Sequence, residues 1–188
     1  MIVVIGGSRH LSFIPEDVID SLQSWIREEA HFILGDAKGT DATFQEYLKM
    51  INYSNVKIFH SGDAARHNLG NWETLNIDSG LKSKSHAMNT AKDREMTKIA
   101  NTGLMIWDTR SPGTLSNVID LLNQKKSCQV YVAGDDSNLY HLKALEDLEK
   151  WQISFPEVFD EAHARLKAHE KRVAKLNGRP DAAEPTLF

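Results

Sequence analysis

Three turns of this 188-residue chain carry the residues best suited to chemistry. They read Gly6-Gly7-Ser8-Arg9, Gly35-Asp36-Ala37-Lys38-Gly39-Thr40-Asp41 and Trp107-Asp108-Thr109-Arg110-Ser111-Pro112-Gly113-Thr114. Each ends an apolar run and precedes a helix-like segment. Glycine lets a ligand approach the backbone, and the free N–H groups at a helix start attract anions. Gathered at the carboxyl edge of a parallel sheet, three such turns make a phosphate site and point to a nucleotide-like ligand. The expected ligand contacts are Gly6, Gly7, Ser8, Arg9, Gly35, Asp36, Lys38, Gly39, Thr40, Asp108, Ser111, Gly113 and Thr114, joined by Arg94.

The turns differ in what they offer. Ser111 to Thr114 supply hydroxyls, backbone amides and a helix N-terminus, with Pro112 setting the turn; the alternative is an ordinary helix start capped by Ser111 or Thr114. Gly6-Gly7 lacks the full G-x-G-x-x-G spacing of a dinucleotide fingerprint. The second turn places its lysine before the second glycine, so it is no G-x-x-x-x-G-K-[S/T] loop, which argues against ATP or GTP hydrolysis of the usual kind. Thr40 and Asp41 read as caps of the following helix, and Asp36 as a partner for a ribose hydroxyl or a turn amide. In Asp93-Arg94-Glu95 the acids either complement a helix dipole or stand beside the cleft, where Arg94 would grip a phosphate or carboxylate through its planar fork. Asp108 either contacts ligand or caps the next turn.

The elements that must position these turns alternate along the chain. Short, nearly unbroken apolar runs at 2–5, 32–34, 56–59, 104–107 and 129–133 read as strands covered on both faces. Between the first two, Pro15 opens a helix whose Val18, Ile19, Leu22, Trp25 and Ile26 share a face. Further helices are read over 41–51, 89–101 and 114–124. This pattern predicts an α/β fold, a single doubly wound Rossmann-like domain with a mainly parallel five-stranded sheet and right-handed crossovers. The division expected is a nucleotide-binding domain over 1–135, a C-terminal helical extension over 136–177 and a flexible tail over 178–188. Residues 60–88 make a long connection holding Arg66, His67, Asn68, Trp72 and Glu73, either a lid or an irregular surface excursion. Phe159, Ala162, Leu166, His169, Val173 and Leu176 form an apolar helical seam, for its own domain or for a partner helix.

Composition narrows the classes. With 41% apolar and 26% charged residues the chain is an ordinary globular protein, long enough for one domain with an appendage. A formal charge of −4 without a long basic block does not support a nonspecific duplex-DNA footprint, and no basic stripe with interleaved aromatics favours single-stranded nucleic acid. Cys128, the one cysteine, reads as a small buried residue and leaves no disulfide or metal-type spacing, so a reducing, cytoplasmic setting is expected. Met1-Ile2-Val3-Val4-Ile5 is too short and lacks the basic flank for a signal or membrane segment. No cofactor, metal or membrane partner is expected.

The chain resembles the SLOG superfamily, Rossmann-like proteins related to the DNA-uptake protein DprA and to the cytokinin-activating lonely-guy enzymes. The resemblance rests on Val4-Ile5-Gly6-Gly7-Ser8-Arg9, Leu34-Gly35-Asp36-Ala37-Lys38-Gly39-Thr40-Asp41, Ala91-Lys92-Asp93-Arg94-Glu95-Met96, and Leu104-Met105-Ile106-Trp107-Asp108 leading to Ser111-Pro112-Gly113-Thr114. It covers about residues 1–133 and looks closest to small bacterial and phage members. It implies strand order 3-2-1-4-5, with the switch point beside the Gly6 and Gly113 turns, and a dimer or higher homo-oligomer. Lonely-guy enzymes cleave the N-glycosidic bond of nucleoside monophosphates with an arginine and with a glutamate just after a P-G-G-x-G-T turn. Arg94 matches that arginine, but here Leu115-Ser116-Asn117 follows the shortened turn and no glutamate stands there. An oxocarbenium-like state wants a nearby carboxylate, which Asn117 does not provide. Asp36, Glu73, Asp93, Glu95 and Asp108 are the substitutes available.

Two functions are therefore expected to compete. The first is a module that binds a nucleotide or nucleotide-derived small molecule, as a sensor or sequestering device. The second is a nucleotide N-glycosidase or deoxyribosyltransferase-like enzyme acting at the sugar of a nucleoside monophosphate, with Asp108, Glu95 and Arg94 as its catalytic residues.

Overall fold

The computed structural model describes residues 1–77, 86–135 and 137–177. The apolar runs form β1 (Ile2–Gly7), β2 (His31–Gly35), β3 (Val56–His60), β5 (Thr102–Trp107) and β6 (Cys128–Val132), all parallel to their neighbours among these five. Two strands were not expected. β4 (Glu73–Asn76) pairs parallel with β3, and β7 (Asn138–Leu142) pairs antiparallel with β6. The expected five-stranded sheet of order 3-2-1-4-5 is thus corrected to seven strands in the order β4-β3-β2-β1-β5-β6-β7. Both additions are short, mostly exposed edge strands, so neither shows the buried apolar run by which the others were read.

The period-two alternation of the strands divides the core. Val3, Ile5, Phe32, Leu34, Ile58, Leu104 and Ile106 point to one face, where Val18 and Leu22 of α1 (Glu16–Arg27) and Phe44 and Leu48 of α2 (Thr40–Met50) cover them. Val4, Ile33, Phe59, Met105, Trp107 and Val130 point to the other face. There Met96 of α3 (His86–Ile99) and Leu115, Val118, Ile119 and Leu122 of α4 (Pro112–Asn123) meet them. The chain leaves β1 for β2 on one side and returns in β5 on the other, which creates a switch point at the carboxyl end of β1.

The segment expected to be a helical extension is integral to this second face. After β7 it makes a 3-10 turn (Leu145–Leu148), α5 (Glu149–Ser154) and α6 (Pro156–Asn177). Trp151 and Phe155 close over the fully buried Trp107, with ring centroids 5.4 and 5.5 Å away. Phe159, Ala162 and Leu166 are buried in the same cluster as the apolar residues of α4, so this part of the seam is used within the chain. Cys128, at the start of β6, is buried in the core of the second face, and burial pushes its thiol pKa up. Among the described residues no helix is long and apolar enough to cross a membrane. The tail over 178–188, and residues 78–85 of the long connection, lie outside the described residues.

Truncating a seam residue tests the docking of α6. Leu166→Ala should cost roughly 2–4 kcal/mol of unfolding free energy, measured by urea denaturation, because a buried leucine leaves a cavity that helix backbones fill poorly.

Candidate functional site

One serine ties together the turns after β1, β2 and β5. Ser8 N–H donates to Ile106 O at 2.9 Å, and Ser8 Oγ accepts from Asp108 N–H at 3.0 Å. Its carbonyl accepts from Thr40 N–H at 3.3 Å and from Thr40 Oγ1 at 2.8 Å. Gly39 completes the junction with φ of 78°, and a Cβ there would stand 2.3 Å from Arg9 O. Only glycine accepts both that dihedral and that approach. Ser8, Gly39 and Thr40, expected as ligand contacts, join the turns and do not line the cleft between them.

That cleft holds about 270 Å³ at the carboxyl edge of the sheet. Of the expected contacts, Gly6, Gly7, Arg9, Gly35, Ser111, Gly113 and Thr114 line it. At its far wall α4 begins. Ser111 makes no side-chain cap, since its Oγ donates to Asp108 Oδ2 at 3.0 Å. The N–H groups of Gly113 and Thr114 have no intrahelical carbonyl to meet. The Arg165 guanidinium of α6 lies over this start, with Nη1 3.6 Å from where a Gly113 Cβ would stand. Arg165 was not anticipated, because it arrives from a helix more than forty residues further on, with no local signal.

The catalytic residues read from the sequence lie elsewhere. Asp108 spends both oxygens on its own turn, accepting from Arg110 N–H at 3.0 Å, Ser111 N–H at 2.8 Å and Ser111 Oγ. Burial raises its pKa, but these hydrogen bonds and the Ser8 hydroxyl beside the carboxyl outweigh it and hold the carboxyl below its ordinary range. Arg94 turns into the α3–α4 interface, where Nη1 donates to Ser116 O at 3.1 Å and meets Asp120 Oδ2 at 3.0 Å, and Nη2 donates to Asn117 Oδ1. Glu95 faces Lys98 at 4.0 Å, and Lys38 is exposed to solvent. None of the four lines the cleft.

The acids in the cleft are Asp41 and Asp93, and Lys92 stands between acids. Lys92 Nζ is 3.2 Å from Asp93 Oδ1 and 4.0 Å from Asp36 Oδ1. Neighbours on a helix point about a quarter-turn or more apart, so Lys92 and Asp93 reach the cleft while Arg94 does not. Asp41 sits in the first turn of α2, yet Gly39 is the N-cap. Its Oδ1 is 3.0 Å from an imagined Gly6 Cβ and its Oδ2 2.4 Å from that of Gly35, so the bare ends of β1 and β2 make room for the carboxylate. Burial raises its pKa, Lys92 opposes this and Asp93 adds to it, leaving it at about 6. Reading Asp41 as a helix cap missed this position.

Asp36 is fully buried but does not line the cleft; it is gripped by Arg66 through Nε at 2.9 Å, Nη2 at 2.6 Å and the backbone N–H at 3.1 Å. Burial raises its pKa, and the hydrogen bonds of Arg66 together with the charges of Lys92 and Arg66 lower it further than burial lifts it. Residues 61–77 are fastened by this fork, by Gln45 to His67 O and Leu69 N–H, and by Trp72 Nε1 to Tyr53 O. Arg66, His67, Asn68, Trp72 and Glu73 do not line the cleft; Glu73 pairs with Lys57 at 3.0 Å. Among the described residues no group of three or more His, Cys, Asp or Glu is placed to hold a metal ion.

Comparisons with protein-family models, with curated proteins and with solved structures return no match to this chain.

The two buried acids titrate in opposite senses. With its pKa raised from 3.8 to about 6, ionised Asp41 destabilises the fold increasingly as pH rises through that window. Asp41→Asn should therefore gain about 2–3 kcal/mol at pH 8 and little at pH 4, read from urea melts, since one pKa unit is worth about 1.4 kcal/mol. Asp36, with its pKa lowered, contributes stability above 3.8 that is lost as pH falls below it. Arg66→Met should cost roughly 2 kcal/mol at pH 7, less than a fully enclosed pair because Arg66 is half-exposed, and the deficit should shrink in acid.

Proposed function

We propose that the cleft binds a nucleotide or nucleotide-derived small molecule at the carboxyl edge of the sheet, and that the protein acts as a sensor or sequestering module. The observation that carries this reading is the convergence of the β1, β2 and β5 turns, laced through Ser8, on a hollow into which α4 opens its N-terminus. Two amides with no intrahelical carbonyl to meet, the positive end of a helix dipole and the Arg165 guanidinium give a phosphate three kinds of attraction at one point. Arg9, an exposed residue of the β1 turn, also lines the cleft. At about 270 Å³ the cleft is slightly below the roughly 300–1,000 Å³ of drug-sized sites, which suits one nucleotide unit better than a dinucleotide.

The binding role is favoured over hydrolysis at the sugar because Asp108 serves its turn, Arg94 the α3–α4 interface and Glu95 a pair with Lys98, and the substitute acid Asp93, which does line the cleft, is paired with Lys92.

Nucleoside monophosphates or ADP-ribose, at a hundredfold excess over Kd, should add about 2.7 kcal/mol to stability and raise Tm. Gly113→Asp should abolish the shift by placing a carboxylate at the start of α4, and Arg165→Ala should weaken binding about tenfold in calorimetry. The recovered nucleotide should be intact by chromatography. Absence of any shift across the panel defeats the reading, and release of free base replaces it with hydrolysis at the sugar.

A further inference from the structure

Asp41 is a nearly buried carboxylate on the wall of the cleft that the protein supports with little hydrogen bonding. The residue is 9% exposed, its Oδ2 accepts a single long hydrogen bond from Ala37 N–H at 3.3 Å, and no described residue donates to Oδ1. A mostly buried carboxylate with one long hydrogen bond is poorly stabilised, and a ligand donor improves on that. Beside it stands Lys92, its side chain 4% exposed. Asp41 Oδ2 and Lys92 Nζ lie 2.4 and 2.5 Å from the point where a Gly35 Cβ would be, so a strong acceptor and a strong donor share one spot on the wall.

The chemistry of that spot selects its occupant. A phosphate is repelled by Asp41, and an apolar ring leaves Oδ1 without a donor. A hydroxyl satisfies both groups, donating to the carboxylate and accepting from the ammonium. Position agrees. Asp41 lies over the ends of β1 and β2, whereas α4 starts beyond β5, which places the two points one to two strand spacings apart, about 5–10 Å. In a 5′-nucleotide the sugar hydroxyls are the donors nearest the phosphate, and the base lies further out.

We propose that Asp41, with Lys92 beside it, recognises the vicinal hydroxyls of a ribose, so that the cleft takes ribonucleotides in preference to their 2′-deoxy counterparts. This rests on the nucleotide reading above and adds the identity of the sugar to it.

The test is calorimetric titration of the full chain at pH 8 with the four common ribonucleoside 5′-monophosphates and their 2′-deoxy equivalents. The ribonucleotide should bind about tenfold more tightly, as expected for a hydrogen bond to a charged group. In Asp41→Asn and Asp41→Ala that ratio should fall below about threefold. The ratio is the readout because removing a negative charge raises the affinity for both phosphates alike. Asp41→Asn keeps the shape and supplies the comparison if the alanine variant does not fold. Equal binding of both sugars by the unaltered protein overturns the proposal and leaves the phosphate reading standing. A ribose preference that survives in the variants overturns the role of Asp41. Binding of neither series overturns the nucleotide reading, and this one with it.

Discussion

The arrangement depends on the hydrogen bonds of Ser8. A parallel sheet brings the carboxyl ends of its strands to one edge, but it does not oblige the turns there to meet. Ser8 does that, with its amide on Ile106, its hydroxyl on Asp108 N–H and its carbonyl on Thr40. Each bond alone is worth about 1 kcal/mol, yet Ser8, Thr40 and Ile106 are fully buried, so losing a bond among them leaves a buried polar group without a partner. Gly39 belongs to the same junction, since its positive φ lets the second turn press against the backbone of Arg9. The cleft is what remains open once these turns are fixed.

Charge is handled differently on the two sides of the second turn. Asp36, which does not line the cleft, is wrapped by Arg66 on three donors. Asp41, five residues on, faces the cleft with one hydrogen bond and a raised pKa. The first arrangement stabilises the fold near neutral pH and the second destabilises it. A destabilising, incompletely satisfied group beside an opening is a common feature of places where a protein meets a ligand.

The buried strands and their helices were legible because both-face burial leaves unbroken apolar runs and amphipathic helices repeat every three or four residues. Edge strands leave no such trace. β4 and β7 are held by one neighbour each and expose most of their side chains, so Glu73-Thr74-Leu75-Asn76 reads as connection until β3 is seen beside it. The α6 seam had two readings because its spacing shows only that a face is apolar; α4 decides what covers it.

For the site, the amino-acid order by itself determined the three turns, their glycines and a helix N-terminus within Ser111 to Thr114, because backbone freedom and capping are local properties. Which side chains face the opening was decided by the tertiary structure. Asp108 and Ser8 were spent on holding turns, Arg94 was drawn to Asp120 and Asn117, and Arg165 was delivered from a distant helix. Asp41 gained its character from the bare ends of two strands that only the sheet places on either side of it. The direction and solvation of a charged side chain are set by what surrounds it in space, and those neighbours lie far apart along the chain.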